Sequence, residues 1–207
     1  MSLAFLDPWA GVDRLGAGRH VPVARSPMEG MAVAAGATLE RRDGWNVAVR
    51  FDAPRGPVGF ADVSHLRKTE IQGDDLGTPD GTATRAGGAW RCVLTPTRVL
   101  VIGGAGEDGL DVTGAFCALT ILGPMARETI ARFCALDLRP HMTPVRGLRP
   151  GSVARTPGFV IREDDDRYLL LVGSAYGEYL WTVVADAAGH LGGGPIGVDD
   201  LLELPDA

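Results

Sequence analysis

The segment after the glycine loop constrains this chain more than the loop itself does. Residues 98–103, Arg-Val-Leu-Val-Ile-Gly, form an apolar strand-like run. The run enters Gly104-Ala105-Gly106-Glu107-Asp108-Gly109, a literal G-x-G-x-x-G. In a dinucleotide-binding domain such glycines open directly into a helix, because the helix N-terminus holds the pyrophosphate, and an acidic residue comes after a second strand about 20 positions on. Here Gly109 leads into Leu110-Asp111-Val112-Thr113-Gly114 and then into another β-like run at 115–122. Glu128, near the right distance, falls inside a predicted helix. No helix dipole faces the loop, so residues 103–110 read as a turn between strands, and no dinucleotide is expected on this chain.

The rest of the chain is rich in strands. Residues 26–36 read as a helix, with Ser26 and Glu29 as a capping box, Pro27 in the first turn and Gly36 as the stop. Residues 45–51 (WNVAVRF) and 68–73 (KTEIQG) read as strands, and 54–66 between them as a turn-rich connection. Residues 74–88 contain almost no apolar residue and read as a loop. Two strands broken at Pro96 occupy 89–103, a hairpin pattern. After the strand at 115–122, Gly123-Pro124 opens a helix to residue 136 whose Ala126, Ile130, Phe133 and Cys134 recur at helical spacing. Residues 151–163 and 167–173 read as strands around the acidic turn 163–166. Residues 175–189 read as an amphipathic helix with Tyr176, Leu180, Val183, Val184 and Ala187 on one side, and 198–204 as a short terminal helix. Helices come after pairs of strands instead of alternating with them one for one, which is an α+β pattern with antiparallel pairing. One echo is internal. Asp62-Val63-Ser64 precedes a strand ending at Gly73, and Asp111-Val112-Thr113 precedes one ending at Gly123, with one extra residue in the second spacer. This suggests a duplicated supersecondary unit.

Composition narrows the function classes. The 207 residues are 45% hydrophobic and 22% charged, enough for one large domain or two that share a core, with no need of a disulfide or metal staple. The net charge is −6 and the basic residues are scattered, which argues against nucleic acid as a partner. Cys92, Cys117 and Cys134 are expected to be buried, reduced thiols, and Trp45, Trp90 and Trp181 to be core residues. His20, His65, His141 and His190 lie far apart, and no Cys or His pair has zinc spacing, so no metal site is expected. Neither a leader pattern nor an apolar run of about 20 residues is found, giving the expectation of a cytoplasmic chain with no membrane span. Nucleophile-elbow and phosphate-loop motifs are missing as well, and no catalytic residue is assigned.

Three segments carry a resemblance. GFADVSHLRKTEIQGDD (59–75) and DVTGAFCALTILGPMARETI (111–130) resemble the D-L/V-S-H and GP-x-A-R segments of the glycine cleavage T-protein, a tetrahydrofolate-dependent aminomethyltransferase. GGGPIGVDDLLEL (192–204) is similar to the PIG helix of its folate-binding domain. SPMEG (26–30), residues 133–163 and residues 167–188 look closer still to the gamma subunit of heterotetrameric sarcosine oxidase. The resemblance covers about residues 25–204. It implies a T-protein-like folate-binding fold: duplicated ferredoxin-like α+β units, mostly antiparallel, around a central opening, as two lobes (26–110 and 111–207) after an N-terminal arm (1–25), without the enzyme's C-terminal barrel domain. It also implies tetrahydrofolate in the opening. The departures are informative. The family's Asn-Asp pair has no counterpart in 74–88, where only Asp80 approaches the position. Of the glutamate turn that grips the pterin, Glu163 alone survives. The resemblance therefore implies a sarcosine oxidase gamma-like subunit, itself non-catalytic. It would support oxidative demethylation of an amine beside a larger flavoprotein that carries the flavin. The alternatives are a stand-alone aminomethyltransferase with Glu163 as pterin anchor, and a folate-independent scaffold, as a homodimer.

Overall fold

The computed structural model describes residues 22–52, 56–104 and 108–202. Most of the arm, residues 1–21, lies outside them. The described chain runs β1 (Ala24–Arg25), α1 (Glu29–Ala34), β2 (Ala37–Arg42), β3 (Trp45–Phe51), β4 (Gly59–Asp62), β5 (Lys68–Gln72), β6 (Ala83–Ala86), β7 (Ala89–Thr95), β8 (Arg98–Ile102), β9 (Leu110–Asp111), β10 (Phe116–Leu122), α2 (Ala126–Ala131), β11 (Leu148–Val153), β12 (Thr156–Asp164), β13 (Arg167–Gly173), α3 (Gly177–Gly189), β14 (Gly194–Pro195) and α4 (Val198–Leu202). These strands build a small sheet β1-β3-β2, a six-stranded sheet β11-β12-β13-β10-β4-β14 and a five-stranded sheet β6-β7-β8-β5-β9. Pairing is antiparallel except at the two-residue strands β1 and β14.

The six-stranded sheet is the middle layer, and the alternation of its strands serves two cores. On one side Phe60, Cys117, Ile121 and Leu170 pack under the helices. There Trp181 of α3 meets Phe60 edge-on, with ring centroids 5.0 Å apart at 77°. On the other side Ala118, Ile161, Leu169 and Leu171 pack against Leu100 and Ile102 of the five-stranded sheet. The three cysteines are free and buried, as expected. Trp90 and Trp181 are core residues, whereas Trp45 is half-buried against the second core.

Several local expectations are corrected. The helix begins at Glu29 and its capping box does not close. Ser26 Oγ accepts the N–H of Met28 at 3.0 Å, not that of Glu29, and its hydroxyl donates to Asp62, so the helix starts later, with Met28 at its N-cap. The 54–66 connection contains the fully buried β4, whose strand character comes from β10 beside it. The 74–88 loop contains β6, an edge strand that buries only Ala83. The helix after Gly123-Pro124 spans only Ala126–Ala131, and Cys134 already bridges to Val153. Residues 151–163 are not one strand but parts of two, β11 and β12, joined by a turn at Ala154-Arg155. Tyr176, placed on the buried side of the amphipathic helix, is 45% exposed.

The D-V-S/T echo has a structural meaning. At Asp62-Val63-Ser64 the chain leaves the six-stranded sheet for the five-stranded one; at Asp111-Val112-Thr113 it returns. The two crossings make the same bonds. Asp62 Oδ1 accepts the Ser64 N–H and Asp111 Oδ1 accepts the Thr113 N–H, both at 2.9 Å. Val63 N–H donates to Ala118 O, and Val112 N–H to Lys68 O, again both at 2.9 Å. Ser64 Oγ then accepts the Ala118 N–H at 3.0 Å, and Thr113 Oγ1 accepts the Lys68 N–H at 2.9 Å. Each hydroxyl thus caps the strand that the other crossing feeds.

Lys68 is sealed between these crossings. It is fully buried, and its Nζ donates to Ser64 O and Leu66 O, each at 2.8 Å. Burial pushes its ammonium down to about 8, against the opposing pull of Asp62, Cys117 and Asp111. Burial in turn raises Asp62, which the Ser26 and Ser64 contacts partly offset.

Two predictions concern these crossings. Ser64→Ala and Thr113→Val each strand a buried N–H, so each is expected to lower stability by about 1–3 kcal/mol in urea denaturation. For Lys68, the unfolded side chain titrates near 10.4 and the folded one near 8. Between these values the unfolded state holds more protons, so stability rises with pH. The stability of the protein relative to Lys68→Met is therefore expected to grow by on the order of 2–3 kcal/mol from pH 7.5 to 10.5. A difference that stays flat across that range would show that Lys68 is not titrating there.

Candidate functional site: a groove between the two sheets

Where β11 and β12 pass the five-stranded sheet, the layers enclose a groove of about 800 Å³. One wall comes from Leu94, Arg98, Leu100 and Glu70 on β7, β8 and β5. The facing wall comes from β11, β12 and the turn joining them. Gly151 and Gly158 sit opposite each other across β11 and β12, so this wall is bare backbone at its middle. A Cβ at Gly158 would come within 2.4 Å of Leu171 O, so the position admits no side chain without backbone movement. Phe116 and Phe159 line the groove with ring centroids 6.5 Å apart and planes tilted by 57°. Tyr176, at the entrance to α3, closes one side.

Among the lining residues Glu70 alone carries a carboxylate. It is buried and accepts hydrogen bonds from Arg98 Nη2 and Gln72 Nε2. The Arg98 guanidinium, with Gln72, holds its carboxyl below the ordinary range, so it stays ionised at neutral pH. Sequence reasoning missed Glu70 because it treated KTEIQG only as a strand. Period-2 alternation puts Lys68, Glu70 and Gln72 on one face, a row of polar groups that was the available signal.

The residues carried over from the resemblance lie elsewhere. Glu163 is the penultimate residue of β12 and does not line the groove. Its Oε1 accepts the Trp90 indole N–H at 2.8 Å, and its Oε2 pairs with Arg167 Nε at 3.1 Å. Asp80 is exposed, and its Oδ1 accepts both the N–H and the hydroxyl of Thr82, at 2.9 and 2.6 Å. Gly109 leads into β9, a strand and not a helix, and residues 105–107 of the glycine motif lie outside the described residues.

A second cavity, about 820 Å³, opens beside the crossings, lined by Asp43, Trp45, His65, Arg67 and Asp111 among others. Burial and the nearby Lys68 push His65 down to about 4, so it is neutral at physiological pH. Burial likewise raises the Cys92 thiol to about 12 and Cys117 to about 11, which leaves both protonated and unreactive. Among the described residues no His, Cys, Asp or Glu side chains are grouped to hold a metal. No helix among them is long and apolar enough to cross a membrane.

Solved structures share this arrangement of sheets. In heterotetrameric sarcosine oxidase from Corynebacterium sp. U-96, solved with pyrrole 2-carboxylate, 99% of one chain matches 84% of this one, with TM-score 0.63 and 18% identity. In aminomethyltransferase T of the glycine cleavage system from Bartonella henselae, 60% of the chain matches 86% of this one, with TM-score 0.66 and 15% identity. The fold is T-protein-like. At these identities the likeness is one of fold. This T-protein-like chain spans about three-fifths of the aminomethyltransferase and nearly all of the matched oxidase chain. No protein-family model matches the sequence, and no curated protein sequence does.

Glu163→Ala leaves the Trp90 indole N–H without its acceptor and Arg167 without its partner. It is expected to lower stability by about 1–3 kcal/mol, whereas Glu163→Gln, which keeps an acceptor for Trp90, loses less than half as much; urea denaturation of both variants checks this.

Proposed function

We propose that this chain is a small, non-catalytic subunit of a heteromeric amine oxidase, comparable to the gamma subunit of sarcosine oxidase. It supports oxidative demethylation of an amine while packed against a larger flavoprotein, which carries the flavin, in the cytoplasm. The observation that carries this reading is the groove's chemistry on a shared fold. The one carboxylate among its lining residues is held by Arg98, and one chain of the heterotetrameric oxidase has the same arrangement of sheets. The matched bonds of the two crossings also support reading the fold as a fused pair of ferredoxin-like units.

The groove suits a reduced folate. Its volume falls within the range of small-molecule sites, roughly 300–1,000 Å³. Phe116 and Phe159 offer ring faces to a pterin or aminobenzoyl group, and Glu70 offers acceptors to an amino-pyrimidine edge. When bound, tetrahydrofolate supplies the nitrogen that takes up a one-carbon unit. The chain's own residues bind and orient it and keep water from its ring faces. Glu70 is ionised and held by Arg98, so it has no proton to give, which supports a binding subunit over an acid catalyst. Glu163 does not line the groove, so it would serve as pterin anchor only for a ligand bound elsewhere.

The carboxylate facing the groove gives the second reading its support, a stand-alone folate-dependent aminomethyltransferase. Isolation of the chain from its native cells separates the two. The subunit reading expects co-elution with a flavin-absorbing protein and oxygen uptake with an N-methylated amine. It also expects micromolar tetrahydrofolate binding, weakened at least about tenfold by Glu70→Ala. A chain that elutes without a flavoprotein and transfers aminomethyl groups to tetrahydrofolate by itself would overturn it in favour of the transferase.

A further inference from the structure

The groove holds two guanidinium groups, and only one is neutralised. Arg98 on β8 is committed to Glu70. Arg155, on the facing wall, is exposed and makes no hydrogen bond or ion pair among the described residues. It sits at the tip of the β11–β12 hairpin, where Val153 pairs with Thr156 and only Ala154 and Arg155 make the turn. Both have left-handed backbone, with φ of +47° and +62°. Such turns ordinarily recruit Asn-Gly, and left-handed conformation at two successive residues with side chains is strained. The strain is concentrated at the hairpin that places an unpaired cation on the groove's rim. The same groove is lined by Phe116, Phe159, Pro157 and bare glycine backbone.

We infer that Arg155 recognises a terminal carboxylate on the groove's ligand, whose aromatic body lies along Phe116 and Phe159. A planar guanidinium matches a carboxylate in a two-point, charge-assisted contact. Arg98 already donates through Nη2 to Glu70, so its charge is neutralised, whereas that of Arg155 is open. The inference rests on the folate reading to this extent: if the ligand is tetrahydrofolate, the acid end is its glutamate tail, and the groove reads tail and ring on opposite walls. The class it names is broader, an aromatic body with one acid end.

Three probes test it by calorimetric titration: tetrahydrofolate, 6-methyltetrahydropterin, which has no tail, and p-aminobenzoylglutamate, which has no pterin. Arg155→Gln is expected to weaken tetrahydrofolate and p-aminobenzoylglutamate about tenfold and to leave 6-methyltetrahydropterin unchanged. Salt should shrink the difference, because the pair is exposed, and Arg155→Lys should recover part of it. Arg155 bonds to nothing in the fold, so both variants are expected to keep the unfolding temperature of the parent. Equal tetrahydrofolate affinity with Arg155 and with Gln at this position overturns the inference and leaves the folate reading standing. Binding of p-aminobenzoylglutamate through Arg155, without any binding of tetrahydrofolate, overturns the folate reading and upholds the carboxylate site. If no probe binds the parent protein, both fall.

Discussion

The reciprocal capping of the two sheet crossings is the constraint on which the other features depend. A chain that passes from one sheet to another must interrupt two ladders, and every backbone group it frees in the interior needs a new partner. Here the interruption is repaired twice by one device. An aspartate turns the chain, and a hydroxyl two residues later takes the N–H that the ladder can no longer use. The repair is reciprocal, since each crossing caps the strand fed by the other. Neither can form well alone, so the registers of β4 on β10 and of β9 on β5 are set together.

That coupling explains why so polar a residue as Lys68 tolerates full burial. The crossings expose carbonyls that face inward instead of along a ladder, and Ser64 O and Leu66 O are two of them. An ammonium is a compact triple donor that can serve both. Its depressed titration shows that the desolvation is only partly repaid. An apolar side chain at this position would be easier to bury but would orphan two carbonyls. The lysine is thus part of the crossing's hydrogen-bond accounting, and its proximity to Asp62 is a consequence of that role.

How far the sequence revealed this depends on whether the determining partner was local. The runs WNVAVRF, FCALTIL and RYLLLVG declare themselves as strands because their own composition suffices. β4 does not, for it is only four residues, Gly59–Asp62, close behind Gly56-Pro57, and its pairing with β10 makes it a strand. The Ser26 capping box was a sound local expectation, but Ser26 Oγ takes the Met28 N–H and its hydroxyl is fixed on Asp62, 36 positions away in the chain. Ala154-Arg155 gave no turn signal because neither residue favours left-handed backbone. The D-V-S/T echo was visible as a repeat, yet its purpose lay in Ala118 and Lys68, residues that no local pattern marks. Glu163 and Glu70 show the same division in the site. Glu163 was picked out by likeness to a motif and lies with Trp90 and Arg167, while Glu70 was marked only by its parity on β5 and faces the groove.

The charge pattern of the groove also limits what it can do. Its carboxylate and one guanidinium cancel inside a largely apolar space, so the interior presents dipoles and ring faces and very little net field. An ionised acid pinned by an arginine is a poor proton donor and a good orienting acceptor. Uncompensated charge appears only at the rim, on Arg155. A ligand entering such a space would gain its affinity from burial of flat rings and its orientation from the two ends, one polar and neutralised, one cationic and open. That division, with ring contacts inside and charge recognition at the edge, suits the binding and orientation of a ligand better than proton transfer to it.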